Sequence, residues 1–450
     1  MMGWARVWAG HNCLGIGIAV EREDIHMETT AIKQKVWDVS DNLWLDEVNF
    51  LRELVRRPST RGQTSVVQHF ISGGLREMGL DVTDVGIDIG QIAQLPGFAP
   101  PEWSYEGLFN VIGTMAGSGI GGRSLLMNGH VDVVSIEPAG HWSYDPWGGD
   151  IVDGRMYGRG AADMKSGLAA MIYAVKALQV AGVALRGDVL VETVIDEECT
   201  GNGTLSCLAQ GYHADGAVVP EPTDLTLVTA SPGVLWCRLQ VRGRGAHAQS
   251  ASTAMNAAEK AMLLITALRE LEAEWNQPQR HHSAFTSVEH PLNFNVGTFH
   301  AGDWPSTVPE LCKVEMRLSY FPGERLNDVK QRVRQHIEVV ASQDAWLSDN
   351  PPELSFFGHH AEPALYDVDH ELSQLVAINH RTVSSQHIQE KPFTATIDNR
   401  FFQLYYGIPN VCYGPSGGQL HAPDEWVDME SIRICTRTLI GVLIDWCGVA

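Results

Sequence analysis

The stretch from Leu125 to Gly167 constrains the fold more than any other part of this chain. An apolar run, LLMNGH, delivers His130 and Asp132 one residue apart; after a Trp-, Pro- and Gly-rich loop the chain reaches Asp163, directly before an apolar helical segment. If the extended conformation persists to Asp132, the period of two places both side chains on one side. An imidazole beside a carboxylate suits a metal ligand held in one tautomer by an acceptor behind it. A single His-x-Asp is also an ordinary polar strand end, so the rest of the chain decides.

Apolar residues recur at helical spacing from Leu43 to Arg56 and from Ser65 to Met78, and Asp81 to Ile87, Leu108 to Met115 and Ser124 to Asn128 read as strands. Gly117 to Gly122 matches GxGxxG, but a strand follows it where a dinucleotide site needs a helix, so it reads as a connection. Ser166 to Ala181 (helix), Asp188 to Ile195 (strand), Gly203 to Gln210 (helix) and Ala217 to Pro220 (strand) continue an alternation that predicts an α/β sheet covered by helices.

The pattern changes near Pro232: strand Val234 to Val241, helix Ala251 to Trp275, strands Leu292 to Thr298 and Leu311 to Tyr320, helix Leu326 to Ala341. That order predicts a small separate α+β unit. The first pattern then returns with helix Glu371 to Ser384, strand Asn410 to Tyr413 and helix Met429 to Trp446. The expected organisation is a large domain, residues 27–230 and 350–450, interrupted by an inserted unit, 231–349. In residues 1–26, Arg6 and the apolar run Cys13 to Val20 resemble a poor signal peptide, but no small-residue cleavage site follows, so the favoured reading is a dispensable tail with Met27 as an alternative start.

A net charge of −22 argues against nucleic acid or an anionic membrane as partner, and no apolar run reaches bilayer-spanning length. The eight cysteines show no CxxC spacing, which reads as structural thiols in a reducing compartment, the cytoplasm.

Acidic residues recur where strands end, the ligand-facing edge of an open α/β sheet. Leu190 to Ile195 runs into Asp196-Glu197-Glu198, Val218-Val219-Pro220 into Glu221, and Val411 to Gly414 through Pro-Ser-Gly-Gly-Gln-Leu to His421. A glutamate pair is usually a solvated loop, but at a strand end one carboxylate can turn inward as a ligand and leave the other to handle protons.

GHVDVV, GRGAADMKSG, DEE followed by GNG, PEPT and GPSGGQLHAPDEW, in that order over residues 40–446, resemble the M20 family of zinc amidohydrolases and peptidases. The resemblance implies a mixed-sheet α/β catalytic domain with an inserted, ferredoxin-like lid that commonly forms a homodimer contact. It implies a two-metal site in which Asp163 bridges, His130 and Glu221 complete one ion's shell, and Glu198 and His421 the other's. Three carboxylates and two imidazoles suit Zn²⁺, with Co²⁺ or Mn²⁺ as alternatives, because no thiolate enforces zinc. Asp132 would orient His130, Glu197 would act as general base on a metal-bridged hydroxide, and the bond after Asp163 would be cis.

In the lid, His247 resembles the histidine that reaches a partner subunit's site and stabilises the oxyanion, and Arg317 the arginine that holds a substrate carboxylate. Gly417 and Gly418 resemble the loop whose backbone approaches substrate. Many relatives carry Asn before Val-Val-Pro; this chain reads Ser306-Thr-Val-Pro309, so Ser306 is the candidate polar contact, with shorter reach. Trp304, His281, His282 and Phe285 suggest a bulkier or more aromatic substrate.

The implied activity is hydrolysis of the amide C–N bond of an N-acyl amino acid or related small molecule carrying a carboxylate. Dipeptide or C-terminal peptide cleavage, and hydrolytic deamination of an aromatic amino acid-like substrate, are the alternatives. Gly414 to Gly418 also matches GxSxG, but no helix follows Ser416 as a nucleophile elbow requires. A non-catalytic metal-binding module would be expected to lack Glu197 or a ligand, and neither is missing.

Overall fold

The computed structural model describes residues 13–119 and 121–450, with side chains from Met27 onward. The expected extension, 1–26, lies outside the residues whose side chains are described. The first helix spans Cys13–Val55, where the sequence predicts a start at Leu43. Ile32, Val36, Trp37 and Val39 continue the helical spacing backward, and all four pack into the main core.

Six strands form a mixed sheet, in spatial order Asp81–Gly86, Phe109–Met115, Val189–Val194, Leu125–His130, Ala217–Val219 and Asn410–Cys412. The first two pairings are antiparallel and the other three parallel. Strands 125–130, 189–194, 217–219 and 410–412 are buried along their whole length, as apolar runs without alternation require. Running parallel, these four present their C-terminal ends at one edge. His130, Glu197-Glu198, Glu221 and the segment leading to His421 all emerge there.

Helices Cys13–Val55, Ser166–Val180, Glu371–Ser384 and Met429–Cys447 bury Leu54, Ala174, Val376 and Leu443 in one core with this sheet. Helix Asn202–Ala209 contributes Leu205 and Leu208 to a second core with Val194 and Phe401. Gly117 and Gly122 press on the backbone of Arg186 and Gly187, where a Cβ at either would lie 2.4 Å or 2.1 Å from main-chain atoms.

The inserted unit has its own antiparallel sheet, in order Asn295–Ala301, Leu311–Tyr320, Gly233–Arg242, Glu353–Ala361. Helices Ala257–Trp275 and Leu326–Gln343 cover one face with Leu264, Leu268, Val333 and Ile337. Strand Glu353–Ala361 differs from expectation: it falls in the stretch assigned to the large domain, 350–450, yet it pairs with Gly233–Arg242 and carries the inserted sheet to Ala361. Pro351-Pro352 reads as a boundary, and Glu353 and Ser355 at the strand's start are exposed, which hides the alternation. Ala230–Ser231 pairs with Ala364–Leu365 where the unit joins the large domain.

Among the described residues no helix is long and apolar enough to cross a membrane. The seven cysteines from Cys199 to Cys447 are free and buried.

Candidate metal centre

His130, the last residue of its strand, is 1% exposed, and its Nε2 lies 3.1 Å from Asp163 Oδ1 and 3.8 Å from Glu221 Oε1. Across the same carboxylate, His421 Nε2 stands 3.4 Å from Asp163 Oδ2 and 3.0 Å from Glu198 Oε1. Each triad, His130–Asp163–Glu221 and Asp163–Glu198–His421, offers one ligand atom per residue, all within 4.8 Å of one another. Asp163 is common to both. The first triad is nearly enclosed; the second opens to solvent through the exposed His421.

Asp163 is placed by a break in the helix that follows. Its φ and ψ, −110° and 96°, are extended, and the Asp163–Met164 peptide is cis, as the resemblance implies. The backbone N–H groups of Ala162 and Asp163 donate to Glu425 Oε1 at 3.0 and 3.1 Å, and the buried Arg159 pairs with Glu425 Oε2 at 2.5 Å. Arg159 and Glu425 escaped the sequence reading because their partnership spans a separation that no local pattern shows. Gly129 leaves room for Met164: a Cβ there would lie 2.8 Å from the methionine methyl.

Asp132 acts differently from expectation. His130 Nδ1 bonds the main-chain carbonyl of Asp132 at 2.9 Å, while the Asp132 carboxylate stands 3.9 Å from that nitrogen. The carboxylate instead accepts the backbone N–H groups of Glu197 at 3.3 Å and Glu198 at 3.2 Å. Thus Asp132 orients the imidazole through its backbone and the glutamate pair through its side chain. Glu197 is 6% exposed and its Oε1 has no hydrogen-bond partner. A buried orphan carboxylate oxygen is costly and calls for a functional account.

The electrostatics follow from four carboxylates around one imidazole. Burial alone would depress His130, but Glu221, Asp163, Glu197 and Asp132 outweigh it and hold the pKa well above the usual range. The Glu198 carboxylate, against burial, pushes His421 up to about 11. Burial raises Glu221 to about 8 against the pull of His130. Burial and then the charge of Asp398 hold Glu197 well above the usual carboxylate range. Asp163 is held below it, because hydrogen bonds from His130 and His421 overcome its burial. Among the described residues no lysine or arginine forms an ion pair with Asp163, Glu197, Glu198 or Glu221. The donor set therefore fits divalent cations: all-oxygen and imidazole ligands, an excess of negative charge, and one shared carboxylate.

The lid residues divide. Arg317, on strand Leu311–Tyr320, is half-buried and donates to Ser319 Oγ at 3.0 Å; burial lowers its pKa and the Glu198 charge opposes that. His359, which the sequence reading missed, is 5% exposed, packs edge-on against Trp236 at 5.1 Å and has an unpartnered Nδ1. Burial, then the charges of Arg400 and Arg317, keep it neutral. Its signal would have been the missed strand.

His247 is exposed; its Nδ1 accepts the N–H of Gln249 at 3.1 Å, and it bridges Thr307 through the backbone. Ser306 is exposed beside it, its carbonyl accepting the Ala248 N–H at 2.9 Å. The structure thus pairs the backbone segments that carry His247 and Ser306 and places neither residue in the triads of this chain. Gly417 and Gly418 pair with Val427 and Trp426, and a Cβ there would lie 2.5 Å from Ala162 or 2.7 Å from the Trp426 indole. What fills the space is the protein itself. Phe285 and His281 pack against Phe321 inside the lid, His282 is half-buried with its Nδ1 accepting the Ala284 N–H at 3.2 Å, and Trp304 is 67% exposed. After Ser416 the chain forms the short strand Gly417–Gly418, which removes the nucleophile-elbow reading.

Residues 126–445 match the model of peptidase family M20/M25/M40. The chain is 28% identical over 409 residues to N-formyl-4-amino-5-aminomethyl-2-methylpyrimidine deformylase of Bacillus subtilis, covering 86% of this chain and 90% of the relative. It is 29% identical over 347 residues to acetylornithine deacetylase of Yersinia pseudotuberculosis, covering 75% and 83%. The fold superimposes on human carnosine dipeptidase 1 with a TM-score of 0.73 at 17% identity, covering 92% of this chain and 99% of that one.

Proposed function

Because the chain belongs to peptidase family M20/M25/M40 and is a metal-dependent amidohydrolase, we propose that it uses two divalent ions to remove a small acyl group from the nitrogen of a small molecule. The observation that carries this is Asp163, shared between two triads, with the free oxygen of Glu197 buried beside them. His130, Asp163 and Glu221 would hold one ion and Asp163, Glu198 and His421 the other, with zinc favoured by the imidazole and carboxylate set. Bound there, the ions supply Lewis acidity toward the amide carbonyl and a water that ionises near neutral pH.

The chain's own residues do the rest. Glu197, kept dry and placed by the Asp132 carboxylate, accepts the proton of the attacking water and returns it to the leaving nitrogen. Arg317 offers a guanidinium for a substrate carboxylate or other anionic group. His247 stabilises the oxyanion from a partner subunit, forming a homodimer through the lid. The relatives' formyl and acetyl substrates favour a short acyl group here.

The test is a panel of N-formyl and N-acetyl amines against dipeptides, run with zinc-loaded protein. The proposal expects kcat/KM to be highest for a short N-acyl amine. Preference for dipeptides throughout the panel would contradict it.

A further inference from the structure

The loop that bears Glu197 and Glu198 is gripped from behind by a buried ion pair. Asp398 and Arg400 are each 1% exposed, with 3.2 Å between Arg400 Nη1 and Asp398 Oδ1. Arg400 Nη2 donates to the Thr200 carbonyl at 3.1 Å, and Nη1 donates to the Ile397 carbonyl at 3.1 Å. Gly201, at φ +75°, lets the pair approach: a Cβ there would lie 2.3 Å from Arg400 and 2.8 Å from Asp398 Oδ1. On its other side Asp398 Oδ2 accepts Thr204 Oγ1 at 2.6 Å, and that hydroxyl accepts Asn128 Nδ2 at 3.0 Å. Asn128 also donates to Glu192 Oε1 at 2.6 Å, its register partner on the neighbouring parallel strand.

One ion pair therefore ties the segment after Thr396 to two of the four strands that end in the site, reaching them two residues before His130 and two after Glu198. Apolar residues would fill such a space at less cost, so a buried pair points to a demand for defined geometry. Neither side chain hydrogen-bonds a triad residue.

We propose that Asp398 and Arg400 are positioning residues for hydrolysis, fixing the 196–204 loop so that Glu197 and Glu198 hold one geometry. This rests on the reading of Glu197 as the proton-transfer group. A displacement of about 1 Å at such a group costs on the order of 10²-fold in rate.

The experiment compares wild type with Arg400→Lys, Thr204→Val and Thr204→Ser, measuring kcat and KM of zinc-loaded protein and amide hydrogen exchange of the metal-free protein. Lysine cannot reach Asp398 and the Thr200 carbonyl together, and valine removes the Thr204 hydroxyl at nearly constant volume. Arg400→Lys and Thr204→Val should each lower kcat by about 10- to 100-fold with KM little changed, and speed exchange over 198–204. Thr204→Ser should restore both. Faster exchange with unchanged kcat per folded, metal-loaded molecule would overturn the proposal, as would lowered kcat with unchanged exchange. Wild type inactive on every amide would sink the functional reading and the positioning role with it. An active wild type with variants equally active would sink the positioning role alone.

Discussion

The Asp132 carboxylate accepts the backbone N–H of Glu198 at 3.2 Å and so fastens the end of one parallel strand to the end of its neighbour. The same carboxylate accepts the N–H of Glu197 at 3.3 Å, and the Asp132 carbonyl holds His130 Nδ1 at 2.9 Å. One residue thus sets the positions of a candidate ligand on each strand and of the candidate base between them.

The two glutamates should separate on substitution. Glu197→Gln should retain both metals and the fold while kcat falls about 10²–10⁴-fold, because size is kept and proton transfer is lost. Glu198→Gln should lose metal first. Elemental analysis of the two variants beside their kcat values checks this, and metal loss following Glu197 would invert the assignment.

Glu425→Gln tests the support of Asp163. It leaves Arg159, 2% exposed, without its charge partner, and breaking such a pair costs about 3–5 kcal/mol. Loss of an outer partner of a ligand weakens metal affinity by about 10–100-fold. Calorimetry and a zinc titration measure both; a variant equal to wild type in each would remove Glu425 from the account.

Much of this site is legible in the sequence because each candidate ligand follows a strong apolar strand or opens an apolar helix. His130, Asp163, Glu198, Glu221 and His421 are separated widely along the chain, yet the parallel ends gather them. The edge strand Glu353–Ala361 was hidden by its half-exposed pattern, and His359 with it. The Arg159–Glu425 and Asp398–Arg400 pairs could not be read because burial creates their meaning, and burial of a charge leaves no periodicity. The long first helix was underread because its earlier turns carry many polar residues.

Stability should depend on pH through Glu47, which is 1% exposed, with Thr436 Oγ1 2.5 Å from its carboxyl. Burial pushes its pKa from 4.5 up to about 8. Between those values the unfolded chain is ionised there while the folded chain keeps the proton, so the folded state binds more protons and loses stability as pH rises. The slope approaches about 1.4 kcal/mol per pH unit. Glu47→Gln removes this contribution, so its Tm relative to wild type should increase from pH 5 to pH 8. Parallel Tm profiles would contradict the buried neutral carboxyl.

Mixing His247→Ala with Glu197→Gln tests the proposed exchange of His247 between subunits. If His247 serves the partner's site, each heterodimer holds one intact site, and random exchange should return about one quarter of wild-type activity. No recovery with subunit exchange demonstrated would place His247 outside the partner's catalysis.

The proposed hydrolysis requires two metal ions joined by Asp163. Titrating chelated protein with Zn²⁺, while following bound metal and hydrolysis of an N-formyl or N-acetyl amine together, distinguishes a two-ion requirement from the alternatives. Activity should be absent without metal and recover fully only near two equivalents per chain, with Asp163→Asn unable to hold the pair. Activity indifferent to chelation, or complete with one bound ion, would contradict it.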